Sequence, residues 1–134
     1  MSVDNFSTDL FTVTVNGRVI SDWGETDPPY TDEPIDPKST LRRGQGGNAV
    51  RLDRLNPGRR VTLQLNPGSP DASYMQGLLN AGANITLSKT QIGTLENAIG
   101  TEGVIVNDTP TGRGGQTITD SGFIIEFNTW TGLK

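Results

Sequence analysis

Apolar and polar residues alternate along LFTVTV (10–15), with Phe11, Val13 and Val15 on one face and Thr12 and Thr14 on the other. A period of two marks a half-buried strand. Asn16-Gly17 follows, a pair that tolerates positive φ at both turn positions, and RVISDW (18–23) returns from it. The segment predicts a β-hairpin. A second alternating pair lies further on. AVRLDRL (49–55) sets Val50 and Leu52 against Arg51 and Asp53, and RRVTLQL (59–65) sets Val61, Leu63 and Leu65 against Arg60, Thr62 and Gln64. Asn56-Pro57-Gly58 between them suits a type II-like turn, so a second hairpin is expected. NITLSK (84–89), GVIVND (103–108) and GFIIEFNTW (122–130) are further strand candidates, with Phe123, Ile125 and Phe127 sharing one face of the last.

The period changes to helical after Asn66-Pro67-Gly68. Ser69 can cap, Pro70 suits the first helical position, and Asp71 suits the positive end of the helix dipole. Ala72, Met75 and Leu79, with Leu78 beside them, form one apolar stripe, and Gly82 stops the helix after residues 70–81. Gly77 in its interior costs roughly 1 kcal/mol relative to alanine, so the helix needs its packing surface. TQIGTLENAIGTE (90–102) suggests one short helical turn, and DTPTGRGGQTITDS (108–121) reads as a flexible connection. The stretch that fits neither period is GETDPPYTDEPIDPKSTLRRGQGG (24–47). Unstructured connections beyond about 12–15 residues are uncommon unless functional, so this long charged loop is expected to be a working part.

The 134 residues are most economically one domain, 1–134, around one core, with no internal repeat. Seventeen glycines, with many Thr and Asn, suit short strands joined by turns. The apolar fraction of 32% is low for a core of this size, which suggests that assembly supplies part of the stability. The chain has no cysteine, which excludes a disulfide framework and a thiolate metal site. It has no histidine either, which removes the commonest general base and metal ligand. MSVDNFSTDL lacks the basic and apolar regions of a secretory signal, and no apolar run approaches the roughly 18 residues of a membrane span. A soluble protein kept in the cytoplasm, without a membrane anchor, is expected. Asn5, Asn84 and Asn107 then match the glycosylation triplet by chance.

The net charge of −4 conceals a sharp polarity. Residues 22–36 hold six acids (Asp22, Glu25, Asp27, Asp32, Glu33, Asp36) and no base. Residues 38–60 hold seven bases (Lys38, Arg42, Arg43, Arg51, Arg54, Arg59, Arg60) and the single acid Asp53. Catalysis by a carboxylate pair on such a loop is disfavoured, because a proline-rich segment cannot hold two carboxylates to catalytic tolerance. No D-x-D-x-D-G spacing with a closing glutamate appears, so a calcium loop is not expected. Gly44, Gly46 and Ala49 match the spacing of a dinucleotide-binding turn, but a polar loop precedes them and a strand follows. The basic block is compatible with phosphate binding. No aromatic is interleaved to stack bases, and the adjacent acids nearly match the bases in number. Pairing within the chain or between subunits is the simpler account. No catalytic residue, metal or cofactor is assigned.

RRVTLQL, then SPDASYMQGLLNAG with its Ser-Pro start and Met-centred helix, then the closing SGFIIEFNTW, make an order that resembles bacteriophage tail tube proteins. The likeness spans most of residues 10–130. It implies a mainly β fold, a β-sandwich or half-barrel of about six to eight strands with one flanking helix. It also implies self-assembly into rings, normally of six, that stack into a hollow tube in the virion tail, built in the bacterial cytoplasm. The implied partners are further copies of the chain, then sheath, tape-measure and baseplate proteins, while DNA passes through without specific binding. A tail-terminator or baseplate ring protein of the same fold is the near alternative, and a basic nucleic-acid-binding β module is the distant one; an enzyme and a polysaccharide-binding sandwich remain further off. On this reading, acids 22–36 of one subunit meet bases 38–60 of another. Met75, Leu78 and Leu79 pack the helix, and Thr12, Thr14, Thr62 and Gln64 form polar rows suited to a bore.

Overall fold

The computed structural model of the chain describes residues 11–91 and 96–133. In chain order the elements are β1 (Phe11–Val15), β2 (Arg18–Ile20), β3 (Tyr30–Pro34), β4 (Ser39–Arg43), β5 (Ala49–Asp53), β6 (Arg59–Leu65), α1 (Pro70–Ala81), β7 (Asn84–Gln91), β8 (Glu96–Asp108) and β9 (Ser121–Leu133). The fold is mainly β, with one helix among the described residues. Seven strands form an antiparallel sheet in the order β2-β1-β7-β8-β9-β6-β3, and β4 and β5 form a separate two-stranded sheet.

The first hairpin forms as its turn residues require. Asn16 and Gly17 both have positive φ, 49° and 86°, and Val13 pairs with Ile20 across the turn. The Asn16 side chain then ties the turn to β7, donating to the Asn84 carbonyl at 3.1 Å and accepting from the Thr86 amide at 2.8 Å. β6 and β9 pair in register over their alternating stretches, Val61 opposite Ile125 and Leu63 opposite Phe123. Val13, Val15, Val61, Leu63, Leu65, Ile85, Leu87, Phe123, Ile125 and Phe127 are all buried on the same inner face. Phe127 fills the centre of that face. A Cβ at Gly103, on the paired strand β8, would run into its ring, and one at Gly100 would meet it at 2.9 Å.

The helix covers this face. Ser69 caps it by accepting from the Ala72 amide at 3.2 Å, and Gly82 closes it in the left-handed conformation. Met75 is fully buried, and Leu78 and Leu79 pack on the core at its margin. The sheet curls as it passes from edge to edge. Phe11 of β1 meets Tyr30 of β3 edge-on at 5.1 Å, although five ladders separate the two strands. A half-barrel with a helix on its inner side results.

Three expectations are corrected. Residues 24–47 are not a structureless loop, since they contain β3 and β4. AVRLDRL does not pair with RRVTLQL, because β6 already has β9 on one side and β3 on the other; β5 pairs with β4 instead. The segment 90–102 is not helical where it is described, since β7 runs to Gln91 and β8 begins at Glu96. Its residues 92–95 lie outside the described residues, as does Leu10.

Candidate assembly surfaces

β4 and β5 form a hairpin that stands clear of the core. Ser39 faces Asp53, Leu41 faces Arg51 and Arg42 faces Val50, with the Gly44 amide donating to the Asn48 carbonyl at 2.7 Å to close the tip. The root is held by the Arg54 amide on the Lys38 carbonyl at 2.7 Å and the Asp36 amide on the Pro57 carbonyl at 3.1 Å. Every residue from 36 to 56 is exposed. Val50 and Leu52, expected to face a core, are 56% and 55% exposed, and Leu41 is 64% exposed. Directly opposed residues share a face, so Val50 and Leu52 lie on one side of the ribbon with Thr40 and Arg42. Leu41 lies on the other with Arg43 and Arg51.

The hairpin is also the basic part of an acidic chain. Lys38, Arg42, Arg43, Arg51 and Arg54, less Asp53, give residues 38–54 a charge of +4; since the chain carries −4, the remainder carries −8. Arg51 reaches Asp53 at 2.8 Å and Arg54 reaches Asp36 at 3.8 Å. Lys38, Arg42 and Arg43 make no ion pair among the described residues.

Half of the acidic block is already paired within the chain. β3 lies beside β6 with Glu33 opposite Arg60, and Arg60 bridges Glu33 at 3.3 Å and Glu126 at 2.8 Å. Asp32 points inward, where Arg59 grips it and Lys89 of β7 donates to it at 3.0 Å. The pairs Asp32–Arg59, Glu33–Arg60 and Asp36–Arg54 therefore join the two charge blocks inside one subunit, where pairing between copies was expected. Asp22 accepts a long bond from the Asp71 amide at 3.4 Å. Glu25 and Asp27 make no ion pair among the described residues.

Three buried charged residues escaped the sequence reading. Lys89 sits at an inward position of NITLSK, after Ile85 and Leu87, and a lysine there needs a carboxylate partner. That was the one available signal. Its ammonium lies 5.5 Å from the Tyr30 ring centre and 6.0 Å from that of Trp130. Burial works against charge on Asp32, but hydrogen bonds from Arg59 and Lys89 outweigh it and hold the carboxyl below its ordinary range. The same burial, reinforced by the Asp32 carboxylate, pushes the Tyr30 phenol upward. Asp71, assigned only to the helix dipole, is 1% exposed; it accepts from Arg18 Nε at 2.7 Å and from the Ser21 and Asp22 amides at 2.8 and 2.9 Å. Asp120 does the same further along, accepting from the Glu25 amide at 3.1 Å, the Thr26 amide at 2.8 Å and the Thr26 hydroxyl at 2.6 Å. Burial opposes ionisation of both, yet the donors prevail and both carboxyls sit low.

These two carboxylates hang residues 21–26 across the mouth of the half-barrel, from the β2 edge toward the β3 edge. Beneath lies a cavity of about 680 Å³ whose lining includes Phe11, Trp23, Tyr30 and Lys89. Glu25, Asp27 and Glu96 also line it. No helix among the described residues is long and apolar enough to cross a membrane.

No protein-family model matches the chain, and no curated protein matches it in sequence. Solved structures do. A chain from the sheath/tube terminator of an extracellular contractile injection system, in the extended state, superposes with a TM-score of 0.60 over 97% of both chains, at 13% identity. One from the sheath–tube complex of such a system gives 0.57 over 95% of this chain and 90% of that one, at 16% identity. One from the tube-terminating cap of the anti-feeding prophage gives 0.56 over 98% and 93%, at 14% identity. The likeness is one of fold. It extends over nearly the whole chain.

Proposed function

We propose that this protein is a structural subunit of a phage-tail-like tube. It assembles into rings, normally of six, and the rings stack with the 39–53 hairpin of one subunit reaching a second copy. The observation that carries this reading is the hairpin itself. An isolated two-stranded ribbon is marginal in water, and this one exposes Leu41, Val50 and Leu52 beside Arg42 and Arg43, which make no ion pair among the described residues. It fits a molecule whose remaining surface is acidic. A contact between two different surfaces of one chain is heterologous and propagates when it does not close. The fold shared with chains of contractile injection tubes supports the same reading, and makes sheath, tape-measure and baseplate proteins the expected neighbours.

Joining sheets around a ring removes the exposed edges at β2 and β3 that a lone half-barrel must otherwise protect. The outer rows of Thr12, Thr14, Thr62 and Gln64 suit a bore through which a charged polymer slides without being gripped. No step of this function requires a catalytic group. The terminator and cap descriptions of two structural neighbours favour a second reading, a single ring that closes the tube end without polymerising.

Negative-stain microscopy of the concentrated protein separates these readings. Tubes support the tube subunit, uniform single rings support the terminator, and dispersed monomers refute both. Excision of 38–54, with Asn-Gly joining residues 37 and 55, tests the hairpin. The folded subunit should persist while stacking is lost.

A further inference from the structure

We propose that the cavity beneath residues 21–26 is the socket for the hairpin of a second copy, entered by the face that carries Arg42, Val50 and Leu52. This deepens the tube reading and rests on it. The socket has an aromatic lining, Phe11, Trp23 and Tyr30, with carboxylates on Glu25, Asp27 and Glu96. Glu25 and Asp27 are exposed and make no ion pair among the described residues. The hairpin face has the complementary order, Val50 and Leu52 beside Arg42, while Arg43 adds positive charge at the tip from the opposite face.

Size agrees with this assignment. Pockets of about 300–1,000 Å³ hold a drug-sized group, so a cavity of about 680 Å³ takes a few side chains and not a folded domain. The ribbon offers what such a socket needs, apolar side chains with a cation at the margin. Burial of Val50 and Leu52 would remove the largest apolar exposure of the ribbon's first face.

Charge reversal tests the socket separately from the hairpin. In sedimentation velocity with electron microscopy, Arg42→Glu/Arg43→Glu and Glu25→Lys/Asp27→Lys should each abolish stacking, raising the concentration needed for assembly more than tenfold. The chain with all four substitutions should regain it, as should a mixture of the two double variants, because every hairpin then meets an oppositely charged socket. Circular dichroism checks that each variant is folded. The chain has no native cysteine, so mixing Arg42→Cys with Glu25→Cys chains should give a mixed disulfide dimer on oxidation. If Glu25→Lys/Asp27→Lys stacks like the wild type while the hairpin variant does not, the socket is overturned and the hairpin reading stands. If both stack normally, or the wild-type chain stays monomeric when concentrated, both fail.

Discussion

Replacing Asp32 by asparagine should be among the most damaging single substitutions in the subunit. Asp32 is shared by Arg59 and Lys89, and the three side chains are 8%, 14% and 4% exposed. Asparagine keeps the shape but removes the carboxylate that both cations share, leaving Arg59 and Lys89 without it in a largely buried site beside aromatic rings. Removal of one partner from a buried ion pair costs about 3–5 kcal/mol, against a total stability of about 5–15 kcal/mol. For a urea slope of about 1–3 kcal/mol per molar, a loss of about 4 kcal/mol moves the midpoint down by about 1–4 M. Adding Lys89→Met should return part of the loss, because one uncompensated cation is removed; a coupling of about 0.5–3 kcal/mol is expected for residues in contact. Equilibrium urea unfolding of the wild type, both single variants and the double variant closes the cycle. An Asp32→Asn midpoint unchanged from wild type, or strict additivity in the double variant, would refute the placement of Asp32 at the centre of the cluster.

Acid should loosen residues 21–26. Asp71 and Asp120 have folded-state values below their unfolded ones, about 3.9 for aspartate. Their stabilisation is present above that value and is lost as pH falls through the folded values. Melting temperatures measured from pH 7 to pH 2 should fall steeply below about pH 4, and the Asp71→Asn/Asp120→Asn variant should start lower at pH 7 and show a flatter acid limb. Asp71→Ala, which strands the Ser21 and Asp22 amides and the Arg18 guanidinium, should cost about 1–3 kcal/mol in urea unfolding. Gly103→Ala drives a methyl into the Phe127 ring and should cost about 1–3 kcal/mol by overpacking; no measurable loss would mean that Phe127 has room to move. Excision of 38–54 should change monomer stability by less than about 1 kcal/mol, since every residue removed is exposed and no core contact goes with it.

What the sequence disclosed depended on whether an element's partner lay inside its own pattern. β1, β2, β6, β9 and α1 each carry a buried stripe, a turn or a cap, and each was legible. YTDEP and STLRR carry none. β3 is a strand because β6 has a free edge for it, and β4 because Gly44–Asn48 folds the chain back onto β5. Two neighbours of one sequence are therefore needed to see either. The same fact misled the pairing of AVRLDRL, whose alternation is real but faces solvent on both sides. The charge polarity was legible, though its partition was not, because register alone decides that Glu33 meets Arg60 while Arg42 makes no ion pair among the described residues. Asp120 gave no signal at all. Its role follows from two backbone amides at Glu25 and Thr26, nearly a hundred residues away.

The place where β3 is anchored has a mechanical consequence. Hydrogen bonds in an antiparallel ladder run across the strands, so a pull on the hairpin directed along β3 loads all of the β3–β6 bonds together and does not peel them one by one. Asp32 adds a cross-tie at mid-strand, to Arg59 on one side and to Lys89 of β7 on the other. Tension entering at the hairpin root is thereby divided between two distant parts of the sheet. A subunit wired in this way resists shear along one axis far better than across it.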